Sequence, residues 1–258
     1  MCFDETMIVI KNKEQIDGIR VACRLARKCL LYLEQYIFIG QNTEELNRLA
    51  HEFIIRHDAV PAPLNYRNFP KSICTSINDV VCHGIPSEKD ILHCGDIVNV
   101  DITVNLHGFF GDTSKTYIIG EVADDVRYFV ERVEKCMYRG IEVLKPGVML
   151  NILGKTIETY IQKFGYSAVR DYGGHGIGLA FHEDPHVCHF YTRANKILLK
   201  EGMTFTVEPM INKSKNWQVV TCDVDGWTCR TKDGSLSAQF EHTVLITKDG
   251  CEVLTVDD

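Results

Sequence analysis

Asp101 and Asp112 lie in the run IVNVDITVNLHGFFGDTSKTYIIG, residues 97–120, where apolar and polar residues alternate on both sides of a Leu-His-Gly turn. That pattern predicts a β-hairpin. A turn centred on Leu106 and His107 pairs Asp101 with Asp112. A turn at His107-Gly108 pairs Asp101 with Ser114 instead. In both registers the two carboxylates share a face, because side chains alternate with period two. Two aspartates on a hairpin are usually solvated surface charges, but three further runs place acids or histidine among apolar residues. These are YGGHGIGLAFHEDP (172–185), MTFTVEPMI (203–211) and AQFEHTVLI (238–246). Charges in such segments are costly to bury without a partner. Asp101, Asp112, His175, Glu208 and Glu241 together make four carboxylates and one imidazole, a donor set suited to two divalent ions of the manganese, iron or cobalt type. Two such ions about 3.5–4 Å apart share a water that ionises near neutral pH, so the chemistry expected is hydrolysis.

The glycines around His175 read GGHGIG. They lack the Lys of a P-loop and the context of a dinucleotide-binding turn. They are expected to let the backbone approach the metals or the substrate.

Positioning these groups requires a framework. From Asn12, the apolar positions Ile16, Ile19, Cys23, Ala26, Leu30, Leu33 and Ile37 step by three and four, predicting a long amphipathic helix with an Asn12/Gln15 capping box. A second helix is predicted from Thr43, with Leu46, Leu49, Phe53 and Ile54 inward. Ala59 to Pro70 reads as an ordered loop, and Ser72 to Ile119 as a meander of strands. The order then repeats. Val126, Val130, Val133, Met137, Ile141 and Leu144 mark one helix, about Asn151 to Phe164 another, and strands run to the end. One α/β domain over 1–258 is expected, built from two similar halves, about 12–120 and 123–252, with the ligand site at their junction.

The chain has 258 residues, 45% hydrophobic and 24% charged, which is enough to bury a core unaided. A net charge of −7 gives neither counterion release nor steering toward nucleic acid. The N-terminus MCFDETMIVI has acids where a signal peptide is basic, and no apolar run approaches the ~18 residues of a bilayer span. A cytoplasmic location follows as an expectation. The eleven cysteines, odd in number and scattered from Cys2 to Cys251, are expected to be reduced and mostly small core residues.

Several runs in order, FPKS (69–72), CTSINDVVCHGIP (74–86), GDIVNVDITV (95–104), GDTSKTY (111–117), GGHGIG, FHEDP, GMTFTVEPM and LSAQFEHT, resemble the type I methionine aminopeptidases of peptidase family M24. The likeness covers nearly the whole chain and is to the compact form, without a zinc-binding N-terminal extension. It implies the pita-bread α/β fold, two pseudo-symmetric halves about a central antiparallel sheet. It also implies that Asp101 and Asp112 hold one metal, that His175 and Glu208 hold the other, and that Asp112 and Glu241 bridge them. The implied reaction is removal of the initiator methionine from nascent peptides when the second residue is small and uncharged, by hydroxide held between the metals. Glu208 would shuttle the proton, while His83 and His182 bond the scissile peptide. By the same resemblance Tyr66, Phe69, Cys74, Phe181 and Trp227 line the methionine pocket, and Asn78, Val80 and Ser237 form a site for one monovalent cation, sodium or potassium. The enzyme is expected to be a monomer acting on nascent chains at the ribosome, with no membrane or direct nucleic-acid contact. Prolidases and aminopeptidase P are the nearest alternatives, but they carry a large extra N-terminal domain. A non-catalytic relative would be expected to lack the ligands.

Overall fold

The computed structural model describes residues 8–256, so the N-terminal reading lies largely outside the described residues. The chain opens with α1 (Lys13–Glu34) and α2 (Thr43–Arg56). Strands β1 (Val60–Pro61), β2 (Cys74–Ile77), β3 (Val80–Cys82), β4 (Ile97–Leu106) and β5 (Phe109–Ile118) follow. Two more helices, α3 (Asp124–Ile141) and α4 (Asn151–Ile161), precede β6 (Ser167–Ala168), β7 (Gly174–Gly176), β8 (Glu183–Val187), β9 (Thr204–Val207) and β10 (Met210–Asn212). The last strands are β11 (Val219–Thr221), β12 (Cys229–Thr231), β13 (Ser237–Gln239), β14 (Glu241–Ile246) and β15 (Cys251–Val253).

The capping box of α1 forms as the sequence predicts. The Gln15 N–H donates to the Asn12 side chain at 3.0 Å and the Asn12 N–H to the Gln15 side chain at 2.9 Å. The helix stops earlier than the apolar stripe suggests, at Glu34, because the Tyr36 N–H turns back to the Leu33 carbonyl. Ile37 therefore packs from a turn. At Gly111 a Cβ would stand 2.4 Å from the Cys23 nitrogen, so only glycine lets α1 lie this close to β5.

β1, β4, β5, β14, β9, β7 and β8 run in that order across a nine-stranded sheet, with β2 also on β4 and β15 on β14. All of these pairings are antiparallel. Two apolar cores cover it. Val98, Val100, Ile102 and Val104 of β4 meet Leu30, Leu33, Leu46 and Ile54 of α1 and α2. Phe205 and Val207 of β9, with Val244 and Ile246 of β14, meet Val133, Met137, Leu153 and Ile157 of α3 and α4. The residues alternating with these, Asn99, Asp101 and Thr103 on β4 and Thr206 on β9, must then face the opposite side. This is the α/β pita-bread arrangement.

One expectation needs correcting. The meander from Ser72 to Ile119 is interrupted, because β3 leaves it to pair with β12 in a separate three-stranded sheet with β11. Left-handed backbone at Asn78 (φ 54°) and His83 (φ 56°) bends the chain at both ends of β3. A third sheet joins β13, β10 and β6.

Candidate metal centre and substrate cavity

The hairpin turns at His107-Gly108, both with positive φ (53° and 89°), the backbone of a tight two-residue connection. Asp101 therefore opposes Ser114, and Thr103 opposes Asp112. Ser114 in turn opposes Glu241 on β14. Directly paired residues share a face, and Asp112 lies two residues from Ser114, so strand geometry alone directs Asp101, Asp112 and Glu241 to one side. One carboxylate oxygen from each lies within 4.8 Å of the others. Glu208 follows Val207, the partner of His242, and so arrives beside Glu241. His175 on β7 completes the group, its Nε2 standing 3.8 Å from Asp112 Oδ2 and 3.7 Å from Glu208 Oε1.

Three of the five side chains are held from behind. The His175 Nδ1 lies 3.0 Å from the Gly176 carbonyl. A carbonyl can only accept, so Nδ1 carries the proton and the Nε2 lone pair faces the acids. Thr103 Oγ1 donates to Asp112 at 2.8 Å. Glu208 accepts from Thr206 Oγ1 at 2.7 Å and from Gln239 Nε2 at 3.1 Å, and its own N–H donates to His189 Nε2 at 3.0 Å. Of the glycines beside His175, Gly173 lines the cavity, while Gly174 and Gly176 also have a packing role. A Cβ at Gly174 would stand 2.4 Å from the Thr206 carbonyl and one at Gly176 2.1 Å from the Asp184 carbonyl, so they let β7 fit between β8 and β9.

Burial pushes the Asp101 carboxyl up to about 7 and that of Glu208 up to about 8. Asp112 and Glu241 are raised well above the carboxylate range, first by burial and then by the charges of the neighbouring acids. His175 brings no compensating charge at neutral pH, because burial lowers its pKa to about 4. Asp101 Oδ1 is buried with no hydrogen-bond partner. Crowded acids, an orphaned oxygen and an imidazole lone pair aimed at them are what divalent cations would satisfy, and the oxygen-rich donor set fits manganese, iron or cobalt.

The centre opens into a cavity of about 320 Å³. Tyr66, Phe69, Cys74, Phe181 and Trp227, the five predicted pocket residues, all line it, as do His83 and His182. Phe69 and Trp227 meet edge to face at 5.2 Å, and His83 meets the Trp227 edge at 5.6 Å. Tyr66 packs on Phe181 at 4.8 Å, and His182 lies 4.1 Å from the His175 ring. Burial lowers His83 to about 4. Partial burial, then the neighbouring His175, His83 and Arg67, lowers His182 at the exposed rim. Both rings are neutral at pH 7 and can each donate one N–H.

Arg67, Tyr172, His186, Met210 and Gln239 also line the cavity and escape the sequence reading. Gln239 carried a usable signal, since it lies two residues before Glu241 and so on the same face. His186 opposes His175 across β7 and β8, a pairing visible only in the fold. Of the cation-site residues, Asn78 and Ser237 meet directly, the Ser237 N–H donating to the Asn78 carbonyl at 2.8 Å. Val80 lies on β3, which packs on β13.

The profile of Metallopeptidase family M24 matches residues 17–248. A methionine aminopeptidase of Rickettsia prowazekii is 48% identical over 249 residues, 96% of this chain and 95% of the relative. The crystal structure of methionine aminopeptidase from that organism superposes with a TM-score of 0.94, covering 97% of this chain and 100% of the other. A prolidase from Pyrococcus furiosus shares the fold at 25% identity and a TM-score of 0.75, but the match covers only 66% of its length. Matched end to end by the first two and only in part by the third, this chain belongs to metallopeptidase family M24, among its methionine aminopeptidases.

Proposed function

We propose that this enzyme removes the N-terminal methionine of nascent peptides whose second residue is small and uncharged, with two divalent ions at the acid cluster. The observation that carries this reading is the continuity of one cavity. Asp101, Asp112, His175, Glu208 and Glu241 line it together with the five predicted pocket residues. Asp101 and Asp112 would hold one ion, His175 and Glu208 the other, with Asp112 and Glu241 shared. The 3.8 Å and 3.7 Å approaches of His175 Nε2 to Asp112 and Glu208 suit that division. When bound, the ions supply the Lewis acidity that ionises a water and polarises the first peptide carbonyl.

The remaining work falls to the protein's own groups. Tyr66, Phe69, Phe181 and Trp227 give the methionine thioether aromatic neighbours, and Cys74 gives it a soft one. Neutral His83 and His182 donate to the scissile peptide and to the oxygen where negative charge develops. Glu208, hydrogen-bonded at both oxygens, carries the proton from water to the leaving nitrogen. Asn78, Val80 and Ser237 hold a monovalent cation that braces β3 against β13. The enzyme works as a monomer on chains emerging into the cytoplasm. No helix among the described residues is long and apolar enough to cross a membrane.

Metal removal and add-back tests the reading, following free methionine from Met-Ala-Ser and Met-Leu-Ser. Release should vanish on chelation and return with manganese or cobalt, for the first peptide far more than the second. Equal turnover of both peptides, or full activity in a verified metal-free preparation, would overturn it.

A further inference from the structure

Cys82 and Cys229 face each other across the antiparallel pair β3–β12. They sit in a small apolar cluster with Val81, Val169 and Met210. Cys229 is fully buried and Cys82 nearly so, yet Cys82 borders the substrate cavity. Directly opposed residues of an antiparallel pair have Cα atoms about 4.5–5.5 Å apart, within the roughly 4.4–6.8 Å that a disulfide spans. The next residue after Cys82 is His83, and Trp227 precedes Cys229 by two. We propose that Cys82 and Cys229 are a modification site, a dithiol that closes to a reversible disulfide when the folded enzyme meets a hydroperoxide and thereby lowers turnover.

The cavity admits the oxidant to Cys82. Its sulfur takes the terminal oxygen of ROOH as the O–O bond breaks, its own proton going to the departing alkoxide, so that ROH and a sulfenic acid result. The Cys229 sulfur then attacks that sulfur. An S–S bond forms, the S–O bond breaks, and the hydroxide leaves with the Cys229 proton as water. Two thiols and one ROOH thus become one disulfide, one ROH and one water, with two electrons passing to the O–O bond. Burial first, then the contact with Cys229, holds Cys82 high, which slows the first step. The Cys82 contact, aided by Tyr172, lowers Cys229, which suits it as the resolving thiol.

The effect on activity follows from the surroundings. The sulfurs must close to about 2.05 Å with a dihedral near ~90°, which turns the Cys82 side chain away from the cavity wall and twists its backbone toward Cys229. The chain beyond His83 is tied to β2, the Thr75 N–H donating to the Gly84 carbonyl at 2.9 Å in a contact so close that a Cβ at Gly84 would stand 2.0 Å from the Thr75 carbonyl. The displacement therefore passes to His83, already in left-handed backbone at φ 56°, and to its 5.6 Å edge contact with Trp227. Misplacing a group at the scissile peptide by about 1 Å can cost on the order of 100-fold.

The experiment treats metal-loaded enzyme with hydrogen peroxide, removes the peroxide, restores equal metal content, and then maps peptides and measures kcat/KM. A Cys82–Cys229 cross-linked peptide is expected, with kcat/KM down about fivefold or more. Dithiothreitol should reverse both, and the Cys229→Val enzyme should start at unchanged activity and show neither. The cross-link is read without any assumption about substrate, so failure of the aminopeptidase reading would leave it standing. Cys82 carried to the sulfinic acid with no link, a link to Cys74 instead, or a Cys82–Cys229 link with unchanged kcat/KM would each overturn the proposal. Equal loss of activity in Cys229→Val would do the same.

Discussion

Glu208 has protein donors on both oxygens, Thr206 on one and Gln239 on the other. Those bonds favour its charged form, but burial outweighs them and raises the carboxyl to about 8. A group balanced in this way can accept a proton near neutral pH and return it, which is the demand on a proton shuttle. Glu208→Gln keeps the shape and removes that capacity. Turnover of Met-Ala-Ser should fall by about 10²–10⁴-fold, measured with metal content matched to the parent enzyme. Full activity at matched occupancy would take the shuttle role from Glu208. The acid itself was legible in the sequence because a carboxylate inside MTFTVEPMI is rare enough to demand a reason. Thr206, Gln239 and His189, which hold it, were not legible, since such residues occur in strands for many reasons. Their two-residue spacing from Glu208 and Glu241 was the only available hint for the first two.

At the level of elements, the segment carrying Phe181 and His182 depends on an ion pair between residues 172 positions apart. Glu183 Oε1 accepts the N–H groups of Leu179 and Ala180 at 2.6 and 2.9 Å, and Oε2 accepts from Lys11 Nζ at 2.5 Å. The Lys11 side chain is almost wholly buried, and burial lowers its pKa despite the partner. Removing one member of such a pair leaves the other charged and desolvated, at a cost of about 3–5 kcal/mol. Lys11→Met should therefore lower the melting temperature and raise KM for Met-Ala-Ser, as the loop presenting His182 loosens. A variant unchanged in both would show the pair to be idle. Nothing in the sequence pointed to this contact, because neither residue lies in a patterned run that implies the other. The departure of β3 from the meander was hidden for a related reason. Its bends fall on Asn78 and His83, and left-handed backbone at non-glycine residues has no reliable sequence mark. The β4–β5 hairpin was readable because period-two alternation and a His-Gly turn agree on which face each aspartate takes.

Across the whole molecule, the apolar faces of β4, β9 and β14 turn to two helical cores, and the acids are left buried on the opposite side, where they line the cavity. This arrangement makes the stability of the ion-free protein depend on pH in a direction that can be worked out. His83 and His175, lowered to about 4, and His189, lowered to about 3, are neutral when folded and charge only on unfolding in acid. They penalise the folded state in acid, a penalty that shrinks as pH rises to about 6.5, and above that they are neutral in both states and contribute no further slope. The carboxyls act oppositely. Asp101 at about 7, Glu208 at about 8, and Asp112 and Glu241, both raised well above the carboxylate range, keep protons in the fold that an unfolded chain has lost by about pH 5. Between pH 6.5 and 8.5 the folded state still holds more protons than the unfolded chain, so stability falls with rising pH, a slope that fades only as each of those protons is given up. Divalent ions remove the penalty by taking the protons' place. Thermal unfolding of chelated protein should show a falling melting temperature across that window, while the manganese-loaded protein stays nearly level. The metal-induced gain should be larger at pH 8.5 than at 6.5. A stripped protein with a flat profile, or a gain independent of pH, would mean that the four acids are not competing for cations and protons at one shared site.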